Sequence, residues 1–465
     1  MMLISEQMLF LEYIDKIHYE YSQSKSATQS FIFVTGEAGT GKSYLLMTVV
    51  DMLEEIDPQS TIVVAYTGYA ALNVKGCTIH SGLKIQIDRP KSNEDDTDDT
   101  EMKKAALETL ANLSEKLKNL KWLIIDEISL VSESFFDVID ERLRQIKNRP
   151  DKPFGNVNVL IFGDLLQLPP VSAKPVFFNN LWKQFQMYEL KYIHRQENDL
   201  VYAQLCNRAR IGKLTEGDYN LLMTRHRDVL TQEEIDSFSE AIHVVLLKEE
   251  AKELNEMKQA TFKNFKIFAS IDCMSDGSEI EKVPKRLDID VPSELKIAIG
   301  SKVMLKVNLN AENGLVNGLI GTVLDFNENS IQVKFDEDKV HSISRHKFRS
   351  RIAPKKYYVR RQFPLIHSWA INVHKVQGIT LEKAIISLSR DTEEFIDSDL
   401  IPERNIGSLK RKQRLFCTGL VYTVLSRVSS LKGLLVYKLD RDIMLKPNYS
   451  KAALDEYSKI KKLKV

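Results

Sequence analysis

The 465-residue chain has no apolar run approaching the roughly 18 residues that a membrane-spanning helix needs, so no membrane role is expected. It is also poor in cysteine. Cys77, Cys206, Cys273 and Cys417 are widely scattered, show no metal-ligand spacing and suggest no disulfide framework. Reduced thiols in a soluble, intracellular protein are the simplest expectation. The beginning, "MMLISEQMLFLEYIDKI", carries acids early and lacks an Arg/Ser-rich stretch, so no secretory or organellar presequence is expected. No solenoid-type repeat is present. Excess charge is missing as well: the formal net charge is +1, which by itself argues neither for nor against a polyanionic partner.

The distribution of charge is more informative than its total. "EDDTDDTE", Glu94 to Glu101, holds six acids and no base. "RHKFRSRIAPKKYYVRR", Arg345 to Arg361, holds eight Lys/Arg and no acid, with Phe348, Tyr357 and Tyr358 interleaved. "LKRKQR" adds a further basic cluster at Leu409 to Arg414. The length exceeds what one hydrophobic core supports, so two or three domains are expected. Short apolar runs alternate with helical patterns over the first 190 residues: "FIFVTG", "TIVVAYTG", "KWLIIDE", "NVLIFGD" and "MYELKYIHRQ". Such alternation reads as parallel strands of an α/β domain. Glu101 to Leu120 reads as a helix. A second α/β region follows from about residue 190, with strands at "AIHVVLL", "KAIISL" and "LLVYKL". Within it, "GTVLDFNENSIQVKF" reads as two antiparallel strands joined at Asn327-Glu328-Asn329, part of a small β insertion over residues 322–362.

The most specific motif is "GEAGTGKS": Gly36, Glu37, Ala38, Gly39, Thr40, Gly41, Lys42 and Ser43. It lies between an apolar strand and a helical pattern, the context in which a phosphate loop works. Glycines let backbone N–H groups curl around phosphate, and the helix N-terminus favours negative charge. Lys42 is then expected to reach the outer phosphates, and Ser43 to ligate Mg²⁺. "WLIIDEIS" supplies Asp126 as a second Mg²⁺ carboxylate and Glu127 as a base for the attacking water. In "VLIFGDLLQLPPV", Gln167 sits at the end of a strand, and Pro169 and Pro170 stiffen the chain just after it. At the carboxyl edge of the sheet a rigid amide can orient the lytic water or contact the γ-phosphate.

In order and spacing, these motifs resemble the Pif-type helicases of superfamily 1, which move 5′→3′, with RecD-like enzymes as cousins. The resemblance runs from "ISEQ" through "GEAGTGKS", "AYTGYAALNVKGCTIHS", "LIIDEIS", "FGDLLQLPPV", "IHRQEND", "GLVNGLIGTV" and "RRQFPLIHSWAINVHKVQGITL" to "GLVYTVLSRVSSLKGL". It implies two RecA-like lobes, 1–190 and 191–465, with a wedge-like insertion at 84–117 and a small β-barrel at 322–362. Gln7 would read adenine, Arg195 and Arg427 would be arginine fingers on the γ-phosphate, and Gln377 and Gly378 would link nucleotide to DNA. Thr67, Gly68, Thr78, His80, His374, Lys375 and Thr380 would contact single-stranded DNA. From the basic stretch, Lys355, Lys356, Arg360 and Arg361 would help to hold the strand. The resemblance implies ATP and Mg²⁺ as cofactors, and a monomer acting on single strands and on duplex or forks with a 5′ tail. A nuclear location and roles in repair, recombination, replication or telomere maintenance go with it. The departures are Tyr66 where the family prefers proline, Leu420 where glutamine is common, Asn372 where threonine is usual, and an acidic run in the wedge region. Two alternatives stay open: a single-strand translocase without strong unwinding, and a non-catalytic nucleic-acid-binding module.

Overall fold

The computed structural model describes residues 4–23, 28–85, 99–278, 280, 287, 289–310, 313–336, 339–353, 356–389, 418–446 and 448–464, with side chains described from residue 106 onward in the segment that begins at 99. Glu94–Glu101 as a charged run, Lys355, Cys417 and the cluster Leu409–Arg414 therefore lie outside the described side chains. The chain divides into two compact units. The first takes residues 1–89, 95–240 and 376–465, and the second takes 241–375.

In the first unit the elements run α1 (Ser5–Gln23), β1 (Phe31–Gly36), α2 (Lys42–Ile56), β2 (Thr61–Ala65), α3 (Gly68–Asn73) and β3 (Cys77–Thr78). They continue with α4 (Ile79–Gly82), α5 (Asp99–Lys116), β4 (Trp122–Asp126), α6 (Glu133–Lys147), β5 (Asn158–Phe162), β6 (Gln186–Leu190) and α7 (Leu200–Arg210). The strands form one parallel sheet in the order β6-β1-β5-β4-β2-β3, and the short strand Lys461–Lys462 pairs with β6 at its edge. The five apolar runs expected as strands are all in this sheet. They read as continuous apolar stretches because both faces are covered. Alternate residues enter opposite cores. Phe33, Leu123, Ile125, Val159 and Ile161 pack with Phe136 and Trp182 on one face. Ile32, Val34, Ile124, Leu160 and Phe162 pack with Leu45, Val49 and Leu53 of α2 and Phe10 and Ile14 of α1 on the other. The carboxyl ends of β1, β4 and β5 thus lie side by side, and each is followed at once by a candidate functional loop. The same unit contains the parallel pair Ala384–Leu388 with Leu434–Leu439.

The second unit combines a parallel pair, Ile242–Val245 with Ala370–Asn372, with antiparallel sheets. Lys302–Leu305, Ile320–Phe326, Ser330–Asp336, Lys339–Ser344 and Leu365–His367 form a five-stranded antiparallel sheet. Its core is built from Phe268, Leu295, Val303, Val323, Ile331, Val333 and Phe363. The expected Asn-rich turn closes this way: Asn327 Oδ1 accepts from the N–H groups of Asn329 and Ser330, each at 2.9 Å. The basic stretch forms a hairpin, His346–Ala353 against Lys356–Gln362, whose second strand also pairs with Ile271–Met274. The antiparallel strands extend on both sides of residues 322–362, because short strands need neighbours to cover their apolar face. The fold is α/β with parallel sheets and an added antiparallel part.

Candidate nucleotide site and the surfaces around it

The loop between β1 and α2 turns back on itself through glycine. Gly39 and Gly41 have φ of +87° and +81°, the left-handed region where a side chain is strained. Both are also crowded. A Cβ on Gly39 would come within 2.4 Å of the Cβ of Arg195, and one on Gly41 would meet Gln7 Nε2 at 3.0 Å. Lys42 Nζ donates to the carbonyls of Gly36 and Glu37, each at 2.8 Å, and so spans the loop. Burial lowers its pKa to about 8, against the pull of Asp164 and Glu127.

Ser43 is the second residue of α2, and its hydroxyl donates to Asp126 Oδ2 at 3.4 Å. Asp126 is the last residue of β4. Burial and the neighbouring Glu127 push its carboxyl up to about 7. Glu127 has a left-handed φ of 53°, an uncommon conformation for a residue with a side chain, and its N–H donates to Asp126 Oδ1 at 2.9 Å. Its side chain accepts from Gln377 Nε2 at 3.2 Å, and the same amide nitrogen donates to Ser129 Oγ at 2.9 Å. Gly378 follows, and its carbonyl accepts from Asn73 at the end of α3.

Several buried polar atoms at this edge have no partner among the described residues. Gln7 is fully buried; its Oε1 accepts from the N–H of Ile4 at 3.2 Å, but Nε2 donates to nothing. The Oε1 atoms of Gln167 and Gln377 and the Nε2 of His194 are in the same state. Unpaired buried polar groups are costly, and two of these, on Gln7 and His194, flank Gly41 of the loop, which points to a polar ligand that satisfies them. Arg195 donates to the Ser426 carbonyl and to Thr380 Oγ1, at 2.9 and 2.8 Å. Arg427 donates to the Thr423 carbonyl at 2.8 Å, to the Ile379 carbonyl at 3.4 Å and to the Ser426 hydroxyl at 2.9 Å. Burial, then the charge of Arg427, lowers the pKa of Arg195 to about 10, and burial lowers that of Arg427. Among the described residues neither guanidinium has a carboxylate within ion-pair distance. A buried cation, Arg427, and a half-buried one, Arg195, that hydrogen-bond only to neutral oxygens are arranged for an anion.

Thr67 and Thr78 cap the two short helices α3 and α4, with their hydroxyls accepting from the N–H groups of Ala70 and Ser81. Gly68 is buried in the first turn of α3. His80 stacks on Phe135 at 4.7 Å between centroids, and Tyr66, 39% exposed, meets the same ring edge-on at 6.2 Å. In the second unit, burial and Lys306 lower the pKa of Lys375 to about 8, and burial lowers that of His374. The basic hairpin is divided. Arg360 is 8% exposed and grips Asp272 with Nε at 3.0 Å and Nη2 at 2.8 Å, whereas Arg361 beside it is exposed. Lys356 reaches Asp276 at 3.4 Å. Sequence reasoning missed Asp164, Arg210 and Tyr422, a buried cluster directly behind the phosphate loop; the one available sign was an aspartate soon after β5, where β4 also ends in one.

Residues 5–213 match the model of PIF1-like helicases, and residues 287–326 match that of the 2B domain of the DNA helicase Pif1. Over these residues the chain resembles the PIF1-like helicase family. It is 30% identical over 425 residues to the ATP-dependent DNA helicase PIF1 of Danio rerio, covering 88% of this chain and 58% of that one. It therefore spans somewhat more than half the length of that relative. Among solved structures it is similar to the Pif1 helicase from Bacteroides in complex with ADP-AlF3 and single-stranded DNA, with 26% identity and a TM-score of 0.74, covering 98% of this chain and 97% of that one. It is equally similar to a chain from a study of two coordinating Pif1 helicases at forked double-stranded DNA, with 27% identity, a TM-score of 0.73 and coverage of 98% and 97%.

Proposed function

We propose that this PIF1-like chain is an ATP-dependent DNA helicase that moves 5′→3′ along a single strand and separates the duplex ahead of it. One observation carries the reading: a phosphate loop and a carboxylate pair share one sheet edge, Arg195 lies against the loop, and Arg427 meets Arg195 on Ser426, with no carboxylate among the described residues within ion-pair distance of either arginine. Lys42 and the N–H groups of the loop, Gly36 to Ser43, hold the phosphates, and the free amide nitrogen of Gln7 reads the base. Ser43 and Asp126 suit Mg²⁺, since both offer oxygen, and a buried carboxylate pushed up to about 7 gains from a cation. Bound there, Mg²⁺ supplies charge neutralisation at the phosphates. Glu127 accepts the proton of the attacking water, Gln167 orients that water, and Arg195 and Arg427 stabilise charge on the transferring phosphoryl group. Gln377 and Gly378 connect this chemistry to the strand.

On the DNA side the reading takes Thr67, Gly68, Thr78, His80, His374, Lys375 and Thr380, with Lys355, Lys356 and Arg361 as electrostatic support; Arg360, bound to Asp272, holds the hairpin instead. It divides the chain into RecA-like lobes at 1–190 and 191–465, with a wedge at 84–117 and a barrel-like insertion at 322–362. The names of the PIF1 relatives and the Bacteroides complex with ADP-AlF3 and single-stranded DNA support the ATPase and strand-binding parts. No helix among the described residues is long and apolar enough to cross a membrane. Action as a monomer, a nuclear location and a place in DNA repair, recombination, replication or telomere maintenance belong to the same proposal; for Pif1 itself, two coordinating helicases at a fork have been described. Strand displacement on a 5′-tailed duplex, compared with a 3′-tailed one, tests it. ATP hydrolysis stimulated by single strands without displacement of either duplex would replace the helicase by a translocase.

A further inference from the structure

Asp164 lies two residues beyond β5, on the loop that carries Gln167, and its carboxylate is fully buried. Five donors converge on it. Arg210, the last residue of α7, gives Nε to Oδ2 at 2.9 Å and Nη2 to Oδ1 at 3.0 Å. The Tyr422 hydroxyl donates to Oδ2 at 2.9 Å, the Tyr457 hydroxyl to Oδ1 at 3.0 Å, and the N–H of Leu166 to Oδ1 at 3.1 Å. Burial alone would raise the carboxyl pKa; Arg210 outweighs it and holds the group below its ordinary value. The anion is therefore a fixed acceptor around which hydroxyl protons are oriented.

Each tyrosine hydroxyl also accepts a backbone N–H, and the two differ in which one. Tyr457 takes that of Leu165, at 2.9 Å, within the Gln167 loop. Tyr422 takes that of Ala38, at 2.8 Å, in the phosphate loop. Tyr422 belongs to the helix Leu420–Leu425, whose two ends are also fixed. Its N-cap Gly419 lies so close to the carbonyls of Leu166 and Gln167 that a Cβ would come within 2.5 Å of both. At its other end, Arg427 folds back so that Nε donates to the carbonyl of Thr423, the residue next to Tyr422.

We infer that Tyr422 is a positioning residue for hydrolysis: its hydroxyl clamps the helix that leads into Arg427 to the back of the phosphate loop, and so sets the distance from that guanidinium to the transferring phosphoryl group. The inference rests on the ATPase reading of the site. Removing one oxygen leaves Asp164 with Arg210, Tyr457 and Leu166, and leaves Ala38 without an acceptor. The specific loss is the link between loop and helix. Mispositioning of about 1 Å can cost on the order of 10²-fold in rate.

The test is Tyr422→Phe in the full chain. DNA-stimulated kcat is expected to fall by roughly 10- to 100-fold, with the KM for ATP within about threefold of wild type. Affinity for ADP alone should hold, while the gain on adding aluminium fluoride, which mimics the phosphoryl group in transfer, should largely vanish. Tyr457→Phe removes a hydroxyl from the same carboxylate without touching residues 419–427, and it should retain that gain. Equal losses in both variants, or an ADP affinity that falls together with kcat, would mean that the cluster only holds the fold, and the inference fails. If Tyr422→Phe melts below assay temperature, the same ADP comparison in the cold with trimethylamine oxide decides between the two outcomes. Should Arg427→Ala keep normal hydrolysis, the site reading itself falls; an inactive Arg427→Ala beside a fully active Tyr422→Phe removes this inference alone.

Discussion

Arg195 and Arg427 meet on one residue, Ser426: Nη1 of the first donates to its carbonyl and Nη2 of the second to its hydroxyl, both at 2.9 Å. Like charges are held together on one residue, and among the described residues no carboxylate lies within ion-pair distance of either, although Glu127 favours the charged form of both. Replacing either by alanine should lower ATP hydrolysis on the order of 10³-fold, with single-strand affinity in the absence of nucleotide nearly intact. The double variant should be little worse than the weaker single one, because the pair acts as a unit. Loss of DNA binding alone in either variant would move that arginine from the phosphate site to the strand.

Glu127→Gln keeps the shape and the hydrogen-bonding reach of the side chain but removes the base. ATP should still bind, and steady-state turnover should fall by roughly 10²-fold or more. Measured turnover near wild type would take the base role away from Glu127.

Lys375 carries a pKa lowered to about 8 by burial and by Lys306. Its charge is present below that value and is lost as pH rises through it. If it contacts phosphate, affinity for single strands should weaken between pH 7 and 9 more steeply than Lys375→Arg, which stays charged over that range. Parallel pH profiles for the two proteins in a fluorescence titration would remove Lys375 from the strand.

The basic hairpin should split by residue. Arg361→Gln should flatten the slope of log K against log salt for single strands by about 0.7, the effect of one phosphate contact. Arg360→Gln should instead lower the melting temperature, since it leaves the half-buried Asp272 without its bidentate partner. An unchanged slope in Arg361→Gln would leave the hairpin as a solvated surface.

The parallel sheet and the phosphate loop were legible because their signals are local. Five apolar runs have the length of strands, and Gly39, Gly41, Lys42 and Ser43 stand within five residues of one another. The positions of Asp126 and Glu127, at and just after the end of β4, followed from the apolar run before them. Asp164 was not, since an aspartate after a glycine looks like any loop start until Arg210, Tyr422 and Tyr457 converge on it from distant parts of the chain. Nor does charge alone distinguish Arg360 from Arg361: the difference is Asp272, 88 residues away in sequence from the first of them. Thr380 is a similar case, reached by Arg195 across 185 residues.

Gln377 holds Glu127 and Ser129 with a single amide nitrogen. It stands only two positions after Lys375 and three after His374. A tug on that pair by a passing phosphate would be felt at the carboxylate through a few backbone bonds, without any long lever. On the proposed helicase reading, such a short tether would let one side chain join fuel use to grip on the track: the amide would restrain the carboxylate until a strand is held.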